Sequence, residues 1–446
     1  MRPHHEIRAK ASPRSARPAG WRTRGFLAFL LVALLGMTLG QVPANAATPG
    51  GDATDGGTAV APPDPRTEPL PPMVPLPPRP TRLAPPPVGF GCGMLLVTSV
   101  KLEEDLVCTG DGIIIGANDI TIDLNGHTIS GPSEGINFGI SSGLHTPENW
   151  SNTVIRDGRI EGFKYQIYLE QATGTRLVNL TNSGGGSYGS IYAFHSDLTI
   201  TGSRSRCQIE RTYMLDSPLT VDHCTLHGSH GMTRGNNFSI SSTKLIDGGL
   251  VVGQSDNGVI TKSVLDDFSV SVYAYSNGNR FHDNVFKNSD NALGLGDAAR
   301  PTVVENNTFK DNSIAIYGSW FTGIVKNNEF IHNRTAGIYI FKAHPVASQI
   351  TGNTFVRNGA DPESVTDPNG NTVRGDIHIG WQDDPQPITL SGNSGKRTNG
   401  WFIWAPHDSV IDGGGNHGAP CGPAPYDRPT PGGGPTVTIN PAVTCS

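Results

Sequence analysis

The sequence predicts an all-β chain folded as a right-handed parallel β-helix, a solenoid of about 11–13 rungs over residues 89–446. Three observations predict it. Asn-x-Phe tripeptides end at Phe286, Phe309, Phe330 and Phe355, spaced 23, 21 and 25 residues apart, and Leu226, Leu245 and Leu265 continue the series upstream at 19, 20 and 21. After each tripeptide comes a turn with another Asn (Asn312, Asn333, Asn358) and then an alternating strand such as Gly337-Ile338-Tyr339-Ile340. A period of two inside a period of about twenty-two is the pattern of coiled strands. Finally, 56 Gly, 16% charged residues and no long amphipathic stretch leave little for helices.

The chain begins with Arg2, Arg8, Lys10, Arg14, Arg17, Arg22 and Arg24, then an apolar run over residues 26–39, then Ala44-Asn45-Ala46. That order is an export signal over residues 1–46, because the apolar run falls short of the roughly twenty residues that cross a bilayer. A secreted product with no membrane span after cleavage is expected. Cleavage takes away seven of 33 bases and one of 39 acids, leaving 26 and 38 and a net charge of −12. An acidic chain of this kind is a poor partner for nucleic acid.

Residues 47–60 are rich in Gly, Ala, Thr and Asp, and 13 of the 28 residues at 61–88 are Pro. Such a stretch makes an extended spacer without a core, so residues 47–88 read as a disordered linker and the folded domain starts near Gly89. Six Cys fall as three sequence-local pairs, Cys92 with Cys108, Cys207 with Cys224, and Cys421 with Cys445. Their spacing suits disulfides in an exported chain, above all at the two ends, better than a metal cluster.

Within the domain, Ile129, Ile160 and Leu180 read as earlier members of the Phe/Leu series, while the region around Ser203 resists placement. No rung can bury its Phe or Ile alone; stacking sets each on its equivalent in the next rung. The repeated Asn sit inside turns, where they bond to the backbone or to the Asn above.

Residues 108–131 read CTGDGIIIGANDITIDLNGHTISG, and residues 411–416 read IDGGGN ahead of Cys421. These stretches resemble the opening and closing rungs of secreted bacterial right-handed β-helix repeat proteins of the pectin-lyase-like superfamily. The resemblance covers about residues 89–446 and implies the fold; it does not imply one activity. The superfamily's enzyme signatures depart from this sequence. Ser229-His230-Gly231 precedes Asp266-Asp267, the reverse of the polygalacturonase order, no Arg-x-Pro-x-x-Arg occurs for a pectate lyase, and Asp361-Pro362-Glu363 lacks the His of the mannuronan epimerase motif.

Stacked rungs align equivalent outward positions about 4.8 Å apart. The alternating strand after each turn then presents Tyr168, Glu170, Tyr192, Phe194, Tyr273, Tyr317, Tyr339, Phe341, His378, Phe402 and Trp404, with Trp320 and Trp381 just beyond. Such a stripe suits the apolar faces of sugar rings, so Tyr273, Tyr317, Trp320, Phe341, Trp381, Phe402 and Trp404 are candidate substrate-binding residues. Tyr339 and His378 are candidate base and acid, with Lys342 or Arg334 neutralising charge, and Asp383-Asp384 offers a second acid pair. Residues 359–374 interrupt the repeat and are expected to wall the cleft. There Asp367, Asn369 and Asn371 alternate oxygen ligands of a kind calcium accepts.

The leading expectation is a secreted polysaccharide-active protein, a lyase or glycoside hydrolase. Its rival is a non-catalytic module binding a cell-envelope glycan through the same stripe. A periplasmic copper-binding type of β-helix is a third reading, but it wants clusters of Met and His, and six Met with scattered His speak against it.

Overall fold

A computed structural model describes residues 90–143, 149–184, 190–343, 346–368, 370–380, 388–406, 410–424, 426–429, 436–439 and 441–446. The expected signal and linker lie outside them, as do Asn369, Trp381, Asp383 and Asp384. The described chain is all-β, a parallel solenoid of about 14 turns. One sheet of 37 strands winds through it, and a separate antiparallel pair joins Tyr426–Pro429 to Thr436–Ile439.

Three parallel stacks make up the solenoid. The first face runs from Met94–Leu96 through Tyr165–Glu170, Ile191–Phe194, Thr212–Leu215, Asn291–Leu295 and Ala336–Ala343 to Trp401–Trp404 and Cys421–Gly422. The second runs from Val100–Lys101 through Leu198–Thr201, Leu219–Asp222 and Thr302–Glu305 to Ile411–Asp412. The third runs from Leu106–Val107 through Val285–Lys287, Thr308–Lys310 and Glu329–Ile331 to Ser394–Lys396.

The corners follow from local chemistry. Between the second and third faces most rungs turn through a residue in a left-handed conformation, as at Asn125, Asp157, Asn179, Asp283, Asn306 and Asn327, with φ between 50° and 58°. Asn and Asp tolerate that region best among side-chain-bearing residues. In the last rungs Gly352, Gly392 and Gly414 take the same corner at φ 65°, 62° and 76°, where no Cβ penalty arises.

Inside, the predicted ladders form. Leu226, Leu245, Leu265, Phe286, Phe309, Phe330 and Phe355 are in register on the third face. The four Phe rings stack nearly parallel with centroids 4.6, 5.0 and 4.7 Å apart. Beside them runs an Asn ladder. The backbone N–H and side-chain amide of Asn307 both donate to Asn328 Oδ1, at 2.9 and 3.0 Å, and Asn328, Asn353 and Asn393 repeat the pattern toward Asn416. A second ladder links Asn312 to Asn333, Asn358 and finally Asp376. All are buried, so each amide satisfies backbone groups that a bend would otherwise strand.

Three expectations change. The turns number about 14, because short opening strands and the irregular segment Gln208–Ile209 each complete a rung. The residue opposite Ile160 is Asn182, with Leu180 opposite Gly158. Gly158 has no room for a Cβ, which would lie 2.3 Å from Leu124, so the Leu124 side chain takes that space. Phe402, expected on the outer stripe, is fully buried. On the third face Phe355 pairs with Gly395, and the Phe402 ring occupies the space a side chain there would need, 2.4 Å from a Cβ built on Gly395. The Phe ladder thus continues with a ring supplied from the neighbouring strand. All three expected Cys pairs form disulfides, Cys92–Cys108, Cys207–Cys224 and Cys421–Cys445.

Candidate functional site

The first face carries the outward lane the sequence pointed to. Register sets Tyr168, Tyr192 and Tyr213 on consecutive rungs, followed by Gly231, Val251, Ser271 and Gly294, and then by Tyr317, Tyr339, His378 and Trp404. The lane is aromatic at both ends and small in the middle. At the first end the rings of Tyr168 and Tyr192 stack at 5.5 Å and 2°, and those of Tyr192 and Tyr213 at 5.0 Å and 19°. Burial, first of all, holds the Tyr192 phenol up at about 12, with the neighbouring phenols adding to the effect.

At the second end the insertion at residues 359–374 folds back over the lane. Val365 and Val373 pack on Ile314, Ala336, Tyr339 and Tyr317, and an antiparallel bridge joins Thr366 to Thr372 around a turn held by Asn371 N–H donating to Asp367 Oδ1 at 2.9 Å. The first foot of the insertion is tied to the rung before. Gly359 N–H donates to Asn333 O, Glu363 N–H to Thr335 Oγ1, and Arg334 pairs with Glu363 at 3.1 Å.

The consequence is that Tyr339 and His378, expected in an open cleft, are roofed: Tyr339 is 2% exposed and His378 0%. They are neighbours, with rings edge to face at 5.6 Å, and His378 stacks on Trp404 at 5.6 Å and 10°. His378 Nε2 lies 3.2 Å from Asp367 Oδ2. Burial keeps the imidazole below its usual range despite the carboxylate beside it. Burial works the other way on Asp367, but hydrogen bonds from His378 and Asn371 outweigh it and hold the carboxyl below its ordinary value. The pair is therefore a carboxylate and a neutral imidazole, with Nε2–H donating and Nδ1 left as a buried acceptor with no hydrogen-bond partner among the described residues. Trp404 Nε1 is likewise buried and has no hydrogen-bond partner among the described residues. Asp367, expected as a calcium ligand, points inward to His378 and Asn371 with its side chain fully covered.

The remaining candidates scatter. Lys342 Nζ sits 3.8 Å over the ring of Trp320, a cation–π contact that takes it away from Tyr339 and His378. Trp320 and Phe341 are 46% and 37% exposed at the edge of the lane. Tyr273 and Tyr317 are half-buried, and burial raises both phenols. Several aromatics of the face were not singled out by the repeat, among them Phe138, Tyr165, Tyr213 and Trp401. Tyr213 lies in the irregular stretch, yet the alternation of Thr212–Leu215, 21 residues after Tyr192, carries its signal. Trp401 packs its ring against Trp404 at 5.2 Å, and Tyr275 is 62% exposed.

Copper coordination is not met by these side chains. Met214 and Met232 lie in the core at 0% and 1% exposure, and among the described residues no three His, Cys, Asp or Glu converge on one point.

Several solved structures are similar to this chain at low identity. The catalytic domain of an α-1,3-glucanase bound to tetrasaccharides is 9% identical over 71% of this chain and 64% of that one, with a TM-score of 0.42. A tailspike protein of an E. coli bacteriophage bound to a pentasaccharide is 12% identical over 72% and 64%, with a TM-score of 0.39. The A-module of the Azotobacter vinelandii mannuronan C-5 epimerase is 12% identical over 72% and 87%, with a TM-score of 0.34. The chain thus spans 64% of the length of the first two. No curated protein sequence matches it. Two overlapping stretches, residues 109–294 and 204–376, together more than half of the chain, match the family described as periplasmic copper-binding protein (NosD), and the chain belongs to that family.

Proposed function

We propose that this protein is a glycan-binding β-helix that works outside the cytoplasm, holding an extended polysaccharide along its first face. The observation that carries this reading is the outward lane itself: stacked phenols at one end, Tyr317 and the tryptophans at the other, and a floor of small residues between. Aromatic faces in that arrangement suit the apolar faces of sugars, and serine hydroxyls beside them suit sugar hydroxyls. Three disulfides and membership of a family described as periplasmic support a location outside the cytoplasm. Export across the whole envelope belongs to the same proposal and rests on the N-terminal signal.

Binding is favoured here over lyase or hydrolase chemistry because Tyr339, His378 and Asp367, the group best arranged for proton transfer, lie beneath the insertion. The family's copper has no donor set among the described residues, so no copper step is assigned.

Affinity electrophoresis of the full chain in gels cast with a panel of plant, algal and bacterial polysaccharides tests the reading. Retardation by at least one of them is expected, without reducing ends or unsaturated uronates appearing on incubation. Retardation by none would refute glycan binding, and product formation would replace binding with catalysis.

A further inference from the structure

We infer that the glycan is uncharged and seats about four sugar rings in a trough on the first face between Tyr213 and Tyr317. This inference rests on the glycan-binding reading and names the substrate class of that same site.

The trough is defined by register. Gly231, Val251, Ser271 and Gly294 occupy the lane on four consecutive rungs between Tyr213 and Tyr317. At one rung per about 4.8 Å the two phenols stand about 24 Å apart. Neighbouring outward positions are just as small, with Ser229, Gly249 and Ser269 on one side. On the other side Tyr273 reaches back across Gly253, whose Cβ would lie 3.3 Å from the phenol ring, and so forms a wall. The Tyr213 ring leans over Gly231 in the same way, 3.2 Å from where a Cβ would be. Between these rings lies a partly exposed strand surface with nothing larger than Val251 on it, and its repeat is close to the advance of one pyranose per rung.

Charge decides the class of sugar. The floor carries no Lys, Arg, Asp or Glu, and its phenols stay protonated, since burial raises Tyr273 and Tyr317 above the ordinary value. At the corner that leads onto the floor, Asp247 and Asp267 stand on successive rungs, both exposed. Arg211, two rungs before Asp247, is half-buried, and on the far edge Arg234 is gripped at two points by Asp216, at 2.6 and 2.7 Å. A polyuronate brings one negative charge per ring, with no open cation row to receive it. A neutral chain meets hydroxyls, phenol faces and exposed backbone, and loses nothing by the absence of cations.

Isothermal titration of the full chain with neutral hexasaccharides (gluco-, xylo- and manno-) and with hexagalacturonate and hexamannuronate, at low and high salt, tests the assignment. At least one neutral hexamer is expected to bind, with a Kd that changes less than about twofold with salt. Ser271→Trp, which fills the floor, is expected to weaken that binding at least about tenfold, while Ser239→Trp on the second face leaves it as in the parent. Gly294→Lys tests the charge argument separately, since a Cβ there meets nothing nearer than 3.5 Å. It is expected to recruit a uronate hexamer that the parent ignores. Tighter binding of a uronate by the parent refutes the neutral class and leaves the glycan reading standing. Neutral binding unaffected by Ser271→Trp and Gly294→Lys refutes the trough. If no hexamer and no polysaccharide of the wider panel binds, the glycan reading itself fails.

Discussion

Replacing Asp376 by Asn is expected to stabilise the protein at neutral pH. Asp376 ends the second Asn ladder: it is fully buried, accepts from Asn358 Nδ2 at 2.7 Å and takes a short hydrogen bond from Thr398. Burial dominates its environment and lifts the carboxyl from 3.8 to about 7, with the two hydrogen bonds opposing that rise. Because its pKa is higher folded than unfolded, the native state holds a proton that the unfolded chain releases between pH 4 and 7. The group's contribution is therefore fully present below about pH 4 and is lost as pH rises toward 7. A rise of about three pKa units corresponds to roughly 4 kcal/mol as an upper limit, and about 2 kcal/mol is a fair expectation once the native site relaxes around the charge. The side chain introduced by Asp376→Asn keeps the acceptor for Asn358 and offers Thr398 an amide in place of a carboxylate. Urea unfolding of both proteins from pH 4 to pH 8 would show the difference. The variant should gain stability over the parent steadily across that range and lead by about 2 kcal/mol at pH 8. A variant no more stable than the parent at pH 8, or a difference that does not change with pH, would refute the reasoning.

Three other outcomes follow from the packing. Asn328→Ala removes an amide that accepts from Asn307 and donates to Val304 O and Asn353 Oδ1, leaving buried groups unmatched on both sides; chemical unfolding should show a loss of about 2–4 kcal/mol. Phe402→Ala empties the space that Gly395 leaves in the Phe ladder, and about 3–5 kcal/mol should be lost in the same assay. His378→Ala breaks the contact that holds Asp367 and the insertion on the lane, so brief proteolysis should cut within residues 359–374 several-fold faster than in the parent, while the rest of the solenoid stays intact.

Much of this molecule is written in its spacing. A Phe every twenty-odd residues has only one way to be buried, on its own equivalent, so the registers from Leu226 to Phe355 could be read directly. The structural role of the repeated Asn follows from the same spacing, because a buried bend in every rung needs a side chain that both donates and accepts. The pairing of Tyr339 with His378 was legible too, since alternation in one strand and one rung of stacking determine it.

Other features depend on contacts that no local pattern encodes. Alternation placed Phe402 outside, but the missing side chain of Gly395, in the preceding strand, drew its ring into the core. Asp367 looked like a cation ligand in its own turn and is instead the acceptor for His378, eleven residues on, because the insertion folds back over the lane. The same fold-back closes the acid–base pair away from solvent and moves the open surface toward Val251 and Ser271, which a search for aromatics passes over. Sequence by itself determined the solenoid, its ladders and the face that carries the aromatics, because each follows from a repeat that must stack on itself. Only the tertiary structure decided which part of that face is open, because an insertion is free of the repeat and its resting place depends on side chains several rungs away.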